Sequence, residues 1–218
     1  MLRREFKTSL RAMLLWTLML GLIYPLALTA ASQLSMPGRA NGSLQYVDGK
    51  AVGSSLIGQD FQMQVVAADG KKSVDSEGNP VLTANPRYFQ SRPSATGYSP
   101  ATTYFRNLGP NSQELSDEIA QRAAAYVALE ARYGTKLTTT DVPVDAVTSS
   151  GSGVDPNISV ANARLQSARV AKARGLTVAT TKRLVRAATN KNFAVLFGEP
   201  GVNVLALNLA LDRLGAQR

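Results

Sequence analysis

Three aspartates that lie close together in sequence, Asp141, Asp145 and Asp155, could do chemistry if the fold brought them together. Paired carboxylates act as acid and base in hydrolases, and clustered oxygen ligands hold Ca²⁺. The spacing fits neither use, because Pro143 separates the first two and no Asp-x-Asp-x-Asp-Gly pattern occurs. The sequence therefore predicts turn or cap positions for these aspartates rather than catalytic ones.

Two glycine-rich segments are the other candidates for chemistry. Residues 151–153 read Gly-Ser-Gly, but Val-Asp-Pro follows them. The segment thus lacks the Gly-Lys-Ser/Thr ending of a phosphate-binding loop and the third glycine of a dinucleotide fingerprint. Residues 198–201 read Gly-Glu-Pro-Gly, which is typical of a turn between two helices. We predict structural turns at both places.

The composition limits the remaining chemistry. The chain of 218 residues has no cysteine and no histidine, which excludes disulfides, thiolate nucleophiles, zinc fingers and imidazole bases. An enzyme would have to rely on carboxylates, Lys, Ser or Tyr. With 44% hydrophobic and 18% charged residues, the chain has the composition of a folded protein.

The N-terminus predicts a membrane anchor. Residues 12–38 carry no formal charge, and residues 12–34 are rich in Leu, Ala and Met, which is enough to cross a bilayer as one helix. Trp16 and Tyr24 are amphipathic aromatics, and Pro25 can be accepted in a membrane helix with a kink. A cleaved signal peptide is the alternative, but its apolar region would be shorter, and residues 29–32 are weak cleavage candidates.

Charges that flank the anchor predict its orientation. Four basic residues precede it, whereas Arg39 is the only one within the ten residues after it, so the positive-inside rule keeps the N-terminus cytoplasmic. We therefore expect a cytoplasmic tail over residues 1–11, a transmembrane helix over residues 12–34, and an extracytoplasmic domain over residues 35–218. The absence of cysteine fits an exported domain that folds without disulfides.

The rest of the chain predicts an α+β domain. Short strands are expected within residues 44–65, followed by an exposed polar hairpin or loop over residues 68–86. We expect one further short strand over residues 142–146. The predicted helices, with their N-terminal signals, cover residues 111–134 after Asn111, 159–175 after Ser159, 177–190 after Thr177, and the segment after Asn203.

Basic residues dominate the segment from Pro156 to Gly198, which contains no acidic residue. Nucleic acid is disfavoured as their partner, because the domain is expected outside the cytoplasm and aromatics are not interleaved. Lipid headgroups or an acidic protein surface fit better, and a solvated helix face is the alternative. The basic residues are Arg164, Arg169, Lys172, Arg174, Lys182, Arg183, Arg186 and Lys191.

Five motifs follow the anchor in a fixed order and together resemble one family. They are LIGQDF (residues 56–61), YFQSRPSA (88–95), VPVDAVTSSGSGVDPNIS (142–159), RVAKARGL (169–176) and GEPGVNVLALNLALD (198–212). The chain is similar to the C subunit of the Kdp potassium-transporting P-type ATPases over nearly its whole length. It departs from that pattern in a longer stretch over residues 68–86 and in Gln166-Ser167-Ala168 before Arg169.

The resemblance implies an accessory subunit of a bacterial inner-membrane complex. Its partners would be a channel-like potassium-binding subunit, a P-type ATPase subunit and a small single-span subunit. Potassium is the transported ion, and the ATPase subunit uses ATP and Mg. This chain has neither the phosphorylation motif nor the filter motif of those partners, so no catalytic residue, cofactor or metal is expected in it.

Three hypotheses describe the function of the chain, two within such a complex and one outside it. We favour a helix that packs beside the channel-like subunit and a domain that assists assembly and caps the side from which potassium enters. The alternative is a catalytic chaperone that raises the ATP affinity of the ATPase subunit. A free-standing membrane-anchored hydrolase or binding protein is the rival from another class.

The motifs also supply candidate site residues, each with a structural alternative. Arg92 can fix an extended segment before a proline, Asn203 can cap a helix, and Asn208 can bond across the fold. Partner contact and structural duty both stay open for the whole set. The candidates are Arg92, Pro93, Ser94, Asp155, Asn157, Arg169, Asn203 and Asn208.

Overall fold

The computed structural model describes residues 2–67, 69–102, 104, 106–190 and 198–216. Its chain divides into two compact units, Met1–Val52 and Gly53–Arg218. A long apolar helix begins the first unit, and the second unit mixes helices with short strands. This confirms the expected fold class, an α+β domain preceded by one N-terminal apolar helix.

The first unit begins with a continuous N-terminal helix, Leu2–Ser35, of 34 residues, none of them buried within the protein. It consists of α1 (Leu2–Leu18), a π-helical turn (Met19–Ile23) and α2 (Tyr24–Ser35). Among the described residues it is the one helix that is long and apolar enough to cross a membrane. The π-helical turn lies just before Pro25, where the proline ring would clash with a regular α-helical carbonyl.

After the short helix α3 (Pro37–Ala40), the chain forms a hairpin of β1 (Leu44–Val47) and β2 (Lys50–Ser54). Its two turn residues, Asp48 and Gly49, have φ values of 48° and 76°. Positive φ at both central positions suits the right-handed twist of the paired strands.

A second hairpin begins the other unit. Strands β3 (Gln62–Gln64) and β4 (Leu82–Ala84) pair antiparallel, with Met63 opposite Thr83. The intervening polar segment folds back through the isolated bridges Val66–Lys72 and Val74–Pro80. Its described residues are mostly exposed, as the sequence predicts, while Ala68 lies outside the described residues.

Helix α4 (Gln113–Ala131) follows, and its N-cap is Ser112, whose hydroxyl accepts a hydrogen bond from the N–H of Leu115. The expected cap at Asn111 is therefore wrong by one residue. The backbone of Ser112 is extended and its short hydroxyl reaches the first helical turn, which is the geometry of an N-cap.

The strand expected over residues 142–146 is also wrong. A 3₁₀ turn (Thr139–Asp141) and a single-turn helix α5 (Val144–Val147) occupy this region, and Pro143 precedes α5 as its N-cap. Proline fits before the first helical turn because it has no N–H to satisfy. Val144 is 73% exposed, so the apolar alternation buries no continuous face.

The C-terminal part carries the core elements β5 (Asn157–Ser159), α6 (Val160–Arg174), α7 (Val178–Ala188), β6 (Gly201–Asn203) and α8 (Val204–Ala216). Strands β5 and β6 pair antiparallel, with Ile158 opposite Val202. The hydroxyls of Ser159 and Thr177 accept bonds from the third residue beyond them, which confirms both predicted caps.

The predicted turn over residues 198–201 is found in part. Gly198 has the positive φ of a turn, at 81°, but Gly201 already belongs to β6. The turn therefore leads into a strand, which pairs with β5, before α8 begins.

The hydrophobic core lies among these elements and the irregular segment that follows β4. Phe89 enters from that segment and is fully buried. The other buried members of this cluster are Ile158, Ala163, Val170, Val185, Val202, Val204, Leu207 and Leu211.

Candidate functional site

The motif residues meet around residues 86–98, which form an irregular extended segment between β4 and α4, named here the extended segment. At its centre, the N–H of Phe89 donates to Asn208 Oδ1 at 2.9 Å, and Asn208 Nδ2 donates to the Phe89 carbonyl at 3.0 Å. The Asn208 amide thus replaces the backbone partner that a neighbouring strand would supply. Because both residues are buried, this pairing satisfies groups that water does not reach.

Gln166 of α6 makes a second paired contact with the segment. Its Oε1 accepts from the N–H of Gln90 at 2.7 Å, and its Nε2 donates to the Gln90 carbonyl at 3.2 Å. Two amide side chains from different helices therefore hold consecutive residues, 89 and 90, of the extended segment. This arrangement fixes the path of the segment over the core.

Arg169 of α6 is fully buried and connects the extended segment to α4. Its Nη1 donates to the carbonyls of Pro86 and Tyr88, each at 2.9 Å, and its Nη2 donates to Gln166 Oε1 at 2.6 Å. Its Nε donates to Glu130 Oε1 at 2.7 Å. Nearly every donor of the guanidinium is used, as burial of such a group requires.

Glu130 is the anionic partner in this core pair, and its side chain is fully buried as well. Its second oxygen, Oε2, has no hydrogen-bond partner within the described part of the protein. Burial raises the pKa of Glu130, because desolvation disfavours the charged form, and the adjacent Arg169 guanidinium opposes that rise. The pair connects α4 to α6, and through Arg169 also to the extended segment.

Asp145 organises the start of α6. Its carboxylate accepts from the N–H and hydroxyl of Ser159, at 2.7 Å and 2.8 Å, and from Asn162 Nδ2 at 3.1 Å. Tyr126 of α4 donates its hydroxyl to Asn162 Oδ1 at 3.2 Å, and burial raises the pKa of this tyrosine. Asp145 therefore holds the N-cap residue of α6 in place, a structural role in agreement with the prediction made from its spacing.

Arg92 holds the far part of the extended segment. Its Nε donates to the Thr148 carbonyl at 3.2 Å, its Nη2 donates to the Ser149 carbonyl at 3.3 Å, and Nη1 lies 3.5 Å from Asp155 Oδ2. The hydroxyl of Tyr98 donates to the Arg92 carbonyl at 2.6 Å. Arg92 thereby joins the segment to the loop that follows α5.

Pro93 and Ser94 face the glycine-rich turn of residues 151–153. The Pro93 carbonyl accepts from the N–H of Ser150 at 2.8 Å, and Ser94 Oγ donates to the Gly153 carbonyl at 2.6 Å. Gly153 has a φ of 72°, and a Cβ there would lie 2.7 Å from Thr96 Oγ1. The glycine is needed for this close approach, which is the structural turn that the sequence predicts.

The last two asparagines to be placed lie where β5 and β6 pair. Asn157 is opposite Asn203 in the register, and its Oδ1 accepts from Asn190 Nδ2 at 3.2 Å. Asn203 Oδ1 accepts from the N–H of Ala206 at 2.9 Å, and its Nδ2 donates to the Ser55 carbonyl at 2.8 Å. Asn203 thus caps the first turn of α8 and also holds a loop distant in sequence.

The structure does not bring the three candidate aspartates to one site. Asp141 lies in the exposed capping box of the 3₁₀ turn, where hydrogen bonds from Thr138 lower its pKa. Asp145 bonds Ser159, the N-cap residue of α6, and Asp155 faces Arg92 while accepting from the N–H of Asn157. Within the described ranges, no group of three or more His, Cys, Asp or Glu residues could hold a metal ion.

Two of the eight basic residues between Pro156 and Gly198 have their anionic partners within the protein. Arg169 is buried against Glu130, and Arg174 bonds Asp212 at 2.8 Å while its guanidinium lies 4.6 Å from the centre of the Tyr88 ring. The expectation of an external anionic partner is therefore wrong for Arg169, because its counter-charge comes from α4. The remaining described members are exposed, and Lys191 lies outside the described residues.

A cleft of about 600 Å³ lies between α4, the β3–β4 hairpin and the extended segment. Its polar lining includes Gln90, Arg122 and Tyr126. Arg122 is already bonded to Glu118 and to the Val147 carbonyl, and Tyr126 is bonded to α6. The polar groups of Arg122 and Tyr126 in the lining of this cleft are therefore already bonded to other parts of the protein.

Sequence reasoning missed several members of the network, above all Glu130 and Gln166. Glu130 lies four residues after Tyr126 and seven after Ala123, and both Ala123 and Glu130 are buried. A carboxylate on the buried face of a helix is a signal for a paired charge. Its partner, 39 residues away, could not be read from spacing.

Comparisons with known proteins match this chain to one family over nearly its full length. Residues 6–213 match the family described as KdpC, K⁺-transporting ATPase, c chain. A potassium-transporting ATPase KdpC subunit of Cereibacter sphaeroides is 44% identical over 212 residues, covering 97% of this chain and 98% of the relative. One from Mycobacterium tuberculosis is 40% identical over 215 residues, covering 98% and 100%. The chain therefore belongs to the KdpC family and is a subunit of a K⁺-transporting ATPase complex.

Proposed function

We propose that this chain is a non-catalytic accessory subunit of an ATP-driven potassium uptake complex. In this role it assists assembly and caps the side of the channel-like subunit from which potassium enters. The N-terminal helix anchors it in the bacterial inner membrane, with residues 1–11 cytoplasmic and the domain extracytoplasmic. Its partners are the channel-like subunit, the P-type ATPase subunit and the small single-span subunit.

The observation that carries this proposal is the inward orientation of the motif side chains. Arg169, Asn208 and Ser94 bond the extended segment or join it to an adjoining loop, and Arg92 and Asp155 do the same. Asn157 and Asn203 also bond within the domain, where β5 and β6 pair. Hydrogen bonds of this kind hold the segments of the domain together. Among the described residues, they leave no pair of these side chains arranged for catalysis. Such a domain suits docking and capping, and the chemistry then belongs to the partner subunits.

The catalytic-chaperone alternative requires contact with ATP or with the ATPase subunit's nucleotide site. Its best local candidate, the glycine-rich turn of residues 151–153, is filled by Ser94 and Thr96. No described feature of this domain favours nucleotide binding, so capping remains the proposal. Membership of a transport-ATPase subunit family argues against the free-standing hydrolase or binding protein.

Copurification tests the accessory role. An affinity tag on this chain, expressed at native level and extracted in mild detergent, should recover the multi-span partners together with potassium-stimulated ATPase activity. A tagged, unrelated single-span inner-membrane protein provides the control. Recovery of this chain alone, while the partners stay assembled without it, would contradict the proposal.

Cysteine labelling tests the orientation, since the chain has no cysteine of its own. A Ser76→Cys variant carries its thiol on the exposed hairpin of the domain. In intact spheroplasts, a membrane-impermeant maleimide should label it. A matched Ser9→Cys variant in the N-terminal tail should react only after permeabilisation. The reverse pattern would place the domain in the cytoplasm and make direct ATP contact possible.

A further inference from the structure

Helix α7 presents a basic face to solvent. Lys182, Arg183 and Arg186 are all exposed, whereas Thr181 and Val185 on the opposite side are buried. These three exposed side chains are named here the α7 basic face. Because the buried side packs in the hydrophobic core, α7 is held in place and cannot rotate to hide its charges.

The charges of this face have no counter-charge within the described part of the protein. None of the three forms an ion pair there, in contrast to Arg169 and Arg174. No acidic residue occurs in the sequence from residue 156 to residue 198. Lys182 and Arg186 lie four residues apart on one helix, a spacing at which like charges destabilise the helix. The face therefore favours an external anion.

The chemistry of the face indicates which anion. Protein interfaces concentrate their binding energy in buried aromatic anchors and well-packed pockets, and α7 contains no aromatic residue. Its other exposed residues, Val178, Ala179 and Ala187, are aliphatic and offer no aromatic anchor. Long, exposed basic side chains without an aromatic anchor suit a layer of phosphate groups, which requires charge rather than shape. The N-terminal helix belongs to the same chain and keeps the domain near a bilayer, so weak attraction to the headgroups is sufficient for binding.

We propose that the α7 basic face binds the anionic phospholipid headgroups of the membrane in which the chain is anchored. The inference depends on the membrane anchor of the proposed function, but not on capping of the channel-like subunit. A basic residue near an anionic surface strengthens attraction by about fivefold, so three residues give on the order of a hundredfold. Salt weakens this attraction, because the screening length is about 8 Å at physiological ionic strength.

Energy transfer to lipid headgroups tests the proposal in the full chain. A fluorophore is attached to an Ala187→Cys variant, and the chain is reconstituted into nanodiscs that carry an acceptor on a trace of headgroups. Discs of phosphatidylcholine alone are compared with discs that also contain phosphatidylglycerol. Transfer should rise with the phosphatidylglycerol fraction and fall as salt is added.

A charge-removal variant makes the test specific to the α7 basic face. Lys182→Gln, Arg183→Gln and Arg186→Gln, combined in one chain, should abolish the dependence on phosphatidylglycerol. The fluorophore stays at position 187 in both chains, so energy transfer reports the separation between the same position and the headgroups in each.

A matched control removes three exposed charges elsewhere in the domain. Lys72→Gln, Arg132→Gln and Lys136→Gln, combined in one chain, lower the net charge by the same amount. This control should leave the response to phosphatidylglycerol unchanged. Circular dichroism confirms that both triple variants are folded.

Each outcome decides the question. Equal transfer in both kinds of disc, or an unchanged response in the α7 variant, overturns the proposal. A response that occurs only with the partner subunits present, and not with phosphatidylglycerol, assigns the face to an acidic protein surface and also overturns it. If the partners fail to copurify but the lipid response persists, the capping role fails and this inference stands.

Discussion

Arg169 connects three parts of the domain through one buried guanidinium. It bonds the backbone of the extended segment, Gln166 on its own helix and Glu130 on α4. Removal of one member of a buried ion pair leaves the other charged and desolvated, whereas an exposed charge is surrounded by water. An arginine at position 169 is therefore expected to affect the free energy of unfolding much more than an arginine at position 164 of the same helix.

We expect Arg169→Met to reduce the free energy of unfolding by about 3–5 kcal/mol, because Glu130 would lose its counter-charge. Arg164→Met, at an exposed position of the same helix, should change it by less than about 0.5 kcal/mol. Denaturant unfolding of the full chain in mild detergent measures both. Equal effects of the two substitutions would show that the buried pair does not stabilise the domain.

The raised pKa of Glu130 gives a second prediction at this scale. A raised folded-state pKa means that the native state binds the proton more tightly than the unfolded state. This contribution to stability is fully present below the unfolded pKa and is lost as pH rises through the folded pKa. We expect the difference in unfolding free energy between the native sequence and Glu130→Gln to decrease with rising pH from the ordinary glutamate range upward. A difference that is flat or grows with pH would contradict this.

At the scale of elements, short polar signals determine where the helices begin and end. Ser112, Ser159 and Thr177 each cap a helix through a hydroxyl, and Gly175 ends α6 with a φ of 66°. These signals act over three or four residues. They depend little on the rest of the fold, which explains why two of these three N-caps were predicted correctly and the third was wrong by a single position.

Gly175→Ala should destabilise the domain by about 1 kcal/mol, because an L-residue is strained in the left-handed conformation that ends α6. Gly109→Ala is the matched control, since Gly109 has no positive φ and a Cβ there would meet nothing within 4 Å. It should be neutral or slightly stabilising. Thermal unfolding of both variants measures the difference, and an equal loss would refute the role of the left-handed cap.

At the scale of the whole molecule, the proposed function gives the N-terminal helix two separable roles, membrane anchoring and packing beside the channel-like subunit. Its length and apolar composition suffice for anchoring. Packing beside the channel-like subunit would require particular side chains on one face of the helix, since lipid tails provide no hydrophobic drive for helix association.

Replacement of residues 12–34 by a polyleucine span of equal length separates these roles. The variant should remain in the membrane fraction, but recovery of the channel-like subunit in a pull-down should fall several-fold, because the specific helix surface is lost. A polyleucine variant that still recovers its partners fully would show that the span serves only as an anchor.

The sequence by itself determined the features that depend on local patterns or on motif order. These are the apolar helix, the α+β class, most helix caps and the family, because composition, short-range hydrogen bonds and ordered motifs are visible along the chain. It failed over residues 142–146, where apolar alternation suggested a strand but Pro143 starts a helical turn.

Only the tertiary structure decided which charges are internal. Arg169 and Arg183 look alike in a basic stretch, yet one is buried against Glu130 and the other is exposed. The difference arises from contacts between residues 39 to 83 positions apart in the chain. Such contacts depend on how helices pack around the core, and no local pattern encodes that arrangement.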